Sequence, residues 1–175
     1  MKIINTDFNG LFLIEPQSFK DSRGEFYESW KEDAYAKAGI KHSFLQDNVS
    51  FSRKNVLRGL HFQKNQGQLV TVTQGRIYDV AVDIRPYSHT YKKYFSIMLD
   101  SRNPQQLYMP DGFAHGFCVL SDFAIINYKC TSYYDPSLER GIIWNDPDLN
   151  IQWPNKDFII SEKDKNFPNL REYCE

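Results

Sequence analysis

A chain of 175 residues is long enough for one domain, residues 1–175, that encloses a hydrophobic core. With 41% apolar and 25% charged residues, a net charge of -1 and Lys and Arg scattered along its length, the chain is not expected to take nucleic acid or an anionic membrane as its main partner. A small anionic ligand stays open, because that needs only a few placed cations.

Residues 1–16 hold no basic region followed by an apolar run and a small-residue cleavage site. No apolar stretch approaches the roughly 20 residues of a membrane span. Cys118, Cys130 and Cys174 are odd in number and lack metal-ligand spacing. Free thiols in a reducing compartment are expected, and with them a cytoplasmic location.

In chain order, a helix is expected over 33–38, where Ala and Lys run into Gly39, a good C-terminal cap. After it come short strands over 58–63, 68–73, 76–83, 94–99, 106–109, 115–120 and 123–128, separated by turn residues such as Gln74-Gly75, Arg85-Pro86 and Pro110–Gly112. Such spacing, with no long helical period between strands, indicates a sandwich or barrel rather than βαβ units. Residues 153–175 are expected to wrap the barrel, with a short helix near the end. The 13 Phe and 11 Tyr would fill its interior and line a pocket that stacks on flat rings.

Three segments carry chemistry-bearing residues. In Arg58-Gly59-Leu60-His61-Phe62-Gln63, strand alternation puts Arg58 and Leu60 on one side and Gly59, His61 and Gln63 on the other. Taken alone, His61 reads as a core histidine with a satisfied hydrogen bond. In Pro110-Asp111-Gly112-Phe113-Ala114-His115, a tight turn delivers His115 to a barrel mouth, as in the second half of the cupin pattern. One His from each segment is a poor transition-metal site, so no metal is expected. In Ser161-Glu162-Lys163-Asp164, Ser161 can cap a helix, Asp164 can orient and charge-stabilise His61, and Lys163 can meet an anion. Tyr128 and Tyr134 complete the set.

Together these segments, with Asp21-Ser22-Arg23-Gly24-Glu25-Phe26, Gln46-Asp47-Asn48, 79–85 and 143–146, strongly resemble the dTDP-4-dehydrorhamnose 3,5-epimerase family. The likeness runs from about residue 10 to about residue 170. It implies a mainly β, jelly-roll (cupin) barrel with short peripheral helices, no cofactor or metal, and a homodimer with swapped N-terminal strands. The implied reaction inverts C3 and C5 of dTDP-4-dehydro-6-deoxy-D-glucose, giving dTDP-4-dehydro-L-rhamnose. Carried onto this chain, the base is His61, paired with Asp164, and the opposing acid is Tyr128. Arg58 and Lys163, with Arg23 from the partner, would hold the phosphates. Phe19, Glu28, Gln46, Asp47 and Asn48 fall on the nucleobase-binding elements, and His115, Tyr134 and Glu139 on further pocket positions.

The chain departs from the family at Gln66-Gly67-Gln68, where the family reads Gln-Gly-Lys and associates the lysine with the sugar's keto oxygen. This leaves open an epimerase inverting only C3 or C5, or one using a related dTDP-, CDP- or GDP-linked keto sugar. A non-catalytic sugar-binding cupin is the reading from another class, and the intact His61, Tyr128 and Asp164 favour an enzyme over it. Inversion beside a ketone needs a base on one face, a proton donor on the other and a donor to the enolate oxygen, roles that a His–Asp pair, a Tyr and Gln68 can fill.

Overall fold

The computed structural model describes residues 1–173. It contains β1 (Lys2–Asn5), β2 (Phe12–Glu15), β3 (Ser18–Asp21), β4 (Gly24–Tyr27), α1 (Glu32–Lys37), β5 (Gln46–Arg53) and β6 (Leu57–Gln63). There follow β7 (Gln68–Gln74), β8 (Arg76–Asp83), β9 (Tyr94–Asp100), β10 (Gln106–Met109), β11 (Phe113–Val119), β12 (Phe123–Cys130), β13 (Glu139–Gly141) and α2 (Glu162–Lys165), with a final 3-10 turn at Leu170–Tyr173. The expected strands are all present, their ends displaced by a residue or two, and β1–β5 and β13 join them.

The strands form two antiparallel sheets, one of six strands in the order β1-β2-β10-β7-β12-β5 and one of five in the order β13-β6-β11-β8-β9. This is the mainly β sandwich of the jelly-roll class, with short helices outside it. The β3–β4 hairpin joins neither sheet, whereas β1 and β2 pair within the chain's own six-stranded sheet.

Alternation along each strand decides what fills the sandwich. Val70 and Val72 of β7, Ala124 and Ile126 of β12, Ile77 and Ala81 of β8, and Phe117 and Val119 of β11 form one buried cluster between the sheets. Each such residue contributes roughly 1.5–3 kcal/mol on full burial, less for Ala. The opposite faces are covered separately. Leu60, Val80 and Val82 lie under Ile142 and Leu149 of the segment after β13 and Leu170 of the tail, and Leu69 and Tyr108 lie under Tyr35 of α1 and Ile40 just after it. Helix α1 ends as expected at Gly39, whose φ of +101° suits a residue without Cβ.

These inward rows do not stay apolar. Gln68 of β7, Tyr128 of β12, and Asp79 and His115 of the β8–β11 pair stand among them, and Gln68, Tyr128 and His115 line a cavity, so the core opens into a polar mouth. Cys118 and Cys130 are unpaired and buried, and burial pushes each thiol up to about 11. Cys174, the third thiol expected to be free, lies outside the described residues. No helix among the described residues is long and apolar enough to cross a membrane.

Candidate active site

The expected facing of β6 is wrong in one respect, and the error matters. His115 of β11 pairs with His61, but Phe117, two residues on, pairs with Arg58, three residues back. β6 therefore carries one extra residue, a bulge that swings Arg58 away from Leu60 and onto the side of His61. Leu60 packs outward under the tail, while Arg58 and His61 line one cavity. Gly59 makes the bulge possible. Its φ is +115°, and a Cβ there would stand 2.6 Å from the His115 carbonyl oxygen and 2.7 Å from the Gly116 Cα.

Asp164 approaches from behind. Ser161 caps α2, its Oγ accepting the Asp164 N–H at 3.1 Å, and the carboxylate then reaches β6. Asp164 Oδ2 accepts the Gly59 N–H at 2.9 Å, and Oδ1 lies 3.0 Å from His61 Nε2. Burial would raise the Asp164 carboxyl, but the hydrogen bonds from His61 and Gly59 outweigh it and hold the group below its ordinary value. As a carboxylate it accepts from His61 Nε2–H, leaving Nδ1 as the lone-pair nitrogen for a substrate.

His115 has a carboxylate of its own, Asp79 Oδ1 at 2.8 Å from Nε2. The two imidazoles are thus cross-strand neighbours, each backed by an aspartate. Exposure separates them: the His61 side chain is 35% exposed and that of His115 only 11%. His61 is the one a ligand can reach. Among the described residues no group of three or more His, Cys, Asp or Glu side chains is placed to hold a metal ion.

Two adjoining cavities, about 280 and 350 Å³, share His61, Gln68, Tyr128 and Glu139. Gln46, Asn48 and Tyr134 line the first, Arg58 and His115 the second. Burial raises the Tyr128 hydroxyl, so it keeps its proton at neutral pH. Most amides here are already engaged. Gln46 Nε2 donates to Asn48 Oδ1, Asn48 to Cys130 Sγ, Gln63 to Ser132 and Tyr133, and Gln66 to Ser132. Gln68 differs: its side chain makes no hydrogen bond among the described residues, and its Oε1 is buried without a partner.

Glu139 accepts from Tyr134 Oη at 2.8 Å and from Lys163 Nζ. Burial would raise its carboxyl, but these two donors hold it below the ordinary value. Lys163 thus stands at the rim, engaged with Glu139. The remaining expected residues lie apart. Asp47 points to the other side of β5 from Gln46 and Asn48 and pairs with Lys129 at 2.9 Å. Phe19 and Arg23 sit on the β3–β4 hairpin, Arg23 bound to Asp21, and Glu28 follows the hairpin near Lys31; none of the three lines either cavity. Asp79, Gln63 and Gln66 were not singled out from the sequence. Asp79 had a signal, an acidic residue in the inward row of Ile77 and Ala81.

The family described as dTDP-4-dehydrorhamnose 3,5-epimerase matches residues 5–172. Two curated proteins of that name are 48% identical: one from Methanothermobacter thermautotrophicus, over 98% of this chain and 95% of the relative, and one from Escherichia coli, over 98% and 96%. A crystal structure of dTDP-6-deoxy-D-glucose-3,5-epimerase from Legionella pneumophila, in complex with dTDP-4-keto-L-rhamnose, is 46% identical and superimposes with a TM-score of 0.94 over 97% of this chain and 93% of that one. With a His–Asp pair facing a tyrosine across a polar barrel mouth, and likeness at this level along nearly its whole length, the chain belongs to the dTDP-4-dehydrorhamnose 3,5-epimerase family.

Proposed function

We propose that this single-domain chain inverts C3 and C5 of dTDP-4-dehydro-6-deoxy-D-glucose, giving dTDP-4-dehydro-L-rhamnose, with His61 as base and Tyr128 as acid. The observation that carries the reading is the accessible His61, backed by buried Asp164, in one cleft with Tyr128. His61 and Tyr128 come from opposite sheets, so a ring held between them is reached from both faces.

His61 Nδ1 takes the proton from the carbon beside the ketone, and the C–H electron pair moves into the ring to form an enolate. Asp164 offsets the charge that His61 gains. Gln68, the cleft amide without a partner, donates to the enolate oxygen, where such a donor commonly lowers the barrier by about 3–4 kcal/mol. Tyr128 delivers its proton to the opposite face of the carbon, the carbonyl re-forms, and solvent exchange resets both groups. Arg58, held through Nε by Ser52 Oγ at 3.0 Å, keeps a fork for the diphosphate.

The working unit in this reading is a homodimer. The β3–β4 hairpin, which pairs with neither sheet, exposes Phe19 and Phe26 and carries Arg23; β5 exposes Val49 and Phe51 on its free edge. Those surfaces suit a hairpin that reaches the partner's nucleotide site, with Arg23 on its phosphates and Phe19 and Glu28 near its base. In this reading the exchanged element is the β3–β4 hairpin, while β1 and β2 stay in the chain's own six-stranded sheet. Two buried free thiols fit a reducing cytoplasm.

Incubation with dTDP-, CDP- and GDP-linked 4-keto-6-deoxy sugars in deuterated water tests the reading. Deuterium should enter C3 and C5 of the dTDP sugar. Incorporation at one carbon alone would make the enzyme a single-centre epimerase, and none on any of the sugars would leave a binding protein.

A further inference from the structure

Glu139 joins three separate parts of the chain. It opens the edge strand β13, which pairs with β6 so that Glu139 stands opposite Gln63 and Gly141 opposite His61. Its Oε2 accepts from Tyr134 in the loop before β13 and from Lys163 in α2. Lys163 in turn precedes Asp164, the carboxylate on His61. Glu139 also lines both cavities, so its charge faces the reacting end of the cleft.

An acidic side chain inside a site for a diphosphate works against that ligand unless something offsets it. Here the offset is Lys163, a mobile point charge with its side chain 55% exposed, against 17% for Glu139. Lys163 can change partners by rotating its stem, whereas Glu139 is fixed by Tyr134 and the sheet. Resting on the function proposed above, we infer that Lys163 is a transferable cation: Glu139 holds it in the empty enzyme, and the nucleotide diphosphate takes it over on binding.

Two consequences follow. Some diphosphate affinity is spent on parting Lys163 from Glu139. In return, the uncovered Glu139 carboxylate puts negative charge beside His61 at the step where the imidazole becomes cationic. Glu139 acts through other groups and is a positioning residue.

Glu139→Gln keeps the shape and the bond to Tyr134 but releases Lys163. A partly exposed ion pair is worth about 0.2–1 kcal/mol, so dTDP should bind the variant up to about 5-fold more tightly by calorimetry. Turnover should fall all the same, because the negative charge is gone. A merely structural role would weaken both. In a Lys163→Met background, Glu139→Gln should tighten dTDP binding clearly less than it does with Lys163 present, since it then relieves only the repulsion of the carboxylate and frees no cation. If Glu139→Gln does not fold, Glu139→Asp, which shortens the reach to Lys163, carries the same expectation for dTDP. Unchanged or weaker dTDP binding by the folded variant, or an equal effect with and without Lys163, would overturn the inference. Wild-type protein that neither binds dTDP nor exchanges deuterium would instead sink the functional reading beneath it.

Discussion

Asp164→Asn replaces one carboxylate oxygen with an amide at a place where both oxygens accept. Oδ1 takes the His61 ring and Oδ2 the Gly59 N–H, and the residue is 4% exposed, so water cannot substitute. An asparagine offers a single acceptor. With its oxygen on His61, its NH2 confronts the Gly59 N–H, and a buried donor left unpaired costs about 1–3 kcal/mol. With its oxygen on Gly59, its NH2 faces His61 Nε2, which must then accept, and the ring proton moves to Nδ1. The nitrogen left for substrate then has no lone pair to take a proton. Either arrangement also removes the negative charge that offsets the imidazolium. Turnover should fall by roughly 10²–10⁴, the usual worth of a general base. Melting should fall by roughly 2–4 °C for each kcal/mol lost in a chain of this size. NMR of deuterium uptake at C3 and C5 and a calorimetric melt read the two effects. A variant with unchanged melting and more than a third of wild-type exchange would refute the orienting role of Asp164.

His61→Ala should abolish deuterium uptake while leaving dTDP binding within a few-fold; more than a tenth of wild-type exchange would exclude His61 as the base. Gln68→Ala should slow exchange by about 10²–10³ if its amide serves the enolate oxygen, and Gln68→Lys, a charged donor, should then keep exchange or speed it; a silent Gln68→Ala on every sugar tried removes Gln68 from the mechanism. Prolonged chelator treatment should leave activity unchanged, and loss of activity restored by a divalent metal would overturn the acid–base scheme. Burial would raise the Asp83 carboxyl, but Arg85, Ser88 and Thr90 donate to it and hold it at about 2 against an ordinary 3.8. Its folded value is depressed, so its stabilisation of about 2 kcal/mol is present above 3.8 and is lost as pH falls towards 2. Asp83→Asn should flatten acid melting in that window, and an unaltered pH dependence would contradict it.

The sequence disclosed most where local rules govern. Alternation placed β7, β8 and β12 because each has an apolar row on its inner face, and Gly39 marked the end of α1 because only its φ mattered. β1–β5 lacked such a signal: β3 and β4 are exposed on most positions and pair only with each other, outside the two large sheets. Arg58 was assigned to the wrong face because a bulge is a relation between two strands. It arises where β6 and β11 fall out of step, and Gly59 shows it only once Gly116 is known to pack against it. The Glu139–Lys163 pair was hidden for the same reason, since the residues lie far apart in sequence and meet through sheet pairing and the tail.

The division of labour between the sheets explains why a sandwich suits this chemistry. An enolate is planar, and inversion requires that one face lose a proton and the other gain one. A base and an acid on the same strand would address one face and return the original configuration. In the proposed mechanism β6 in the five-stranded sheet supplies His61 as base, and β12 in the six-stranded sheet supplies Tyr128 as acid. Strand pairing fixes the order within each sheet, and the apolar core deeper in the barrel holds the sheets at a set separation, close to 10 Å in packed sandwiches. The distance between the proposed base and acid is therefore a property of the core, set by residues such as Val70, Ile126 and Val119 that line neither cavity. Gln68 leaves the same inward row as Val70 and Val72, so the donor proposed for the enolate oxygen is held by the packing that spaces the proposed proton-transfer groups.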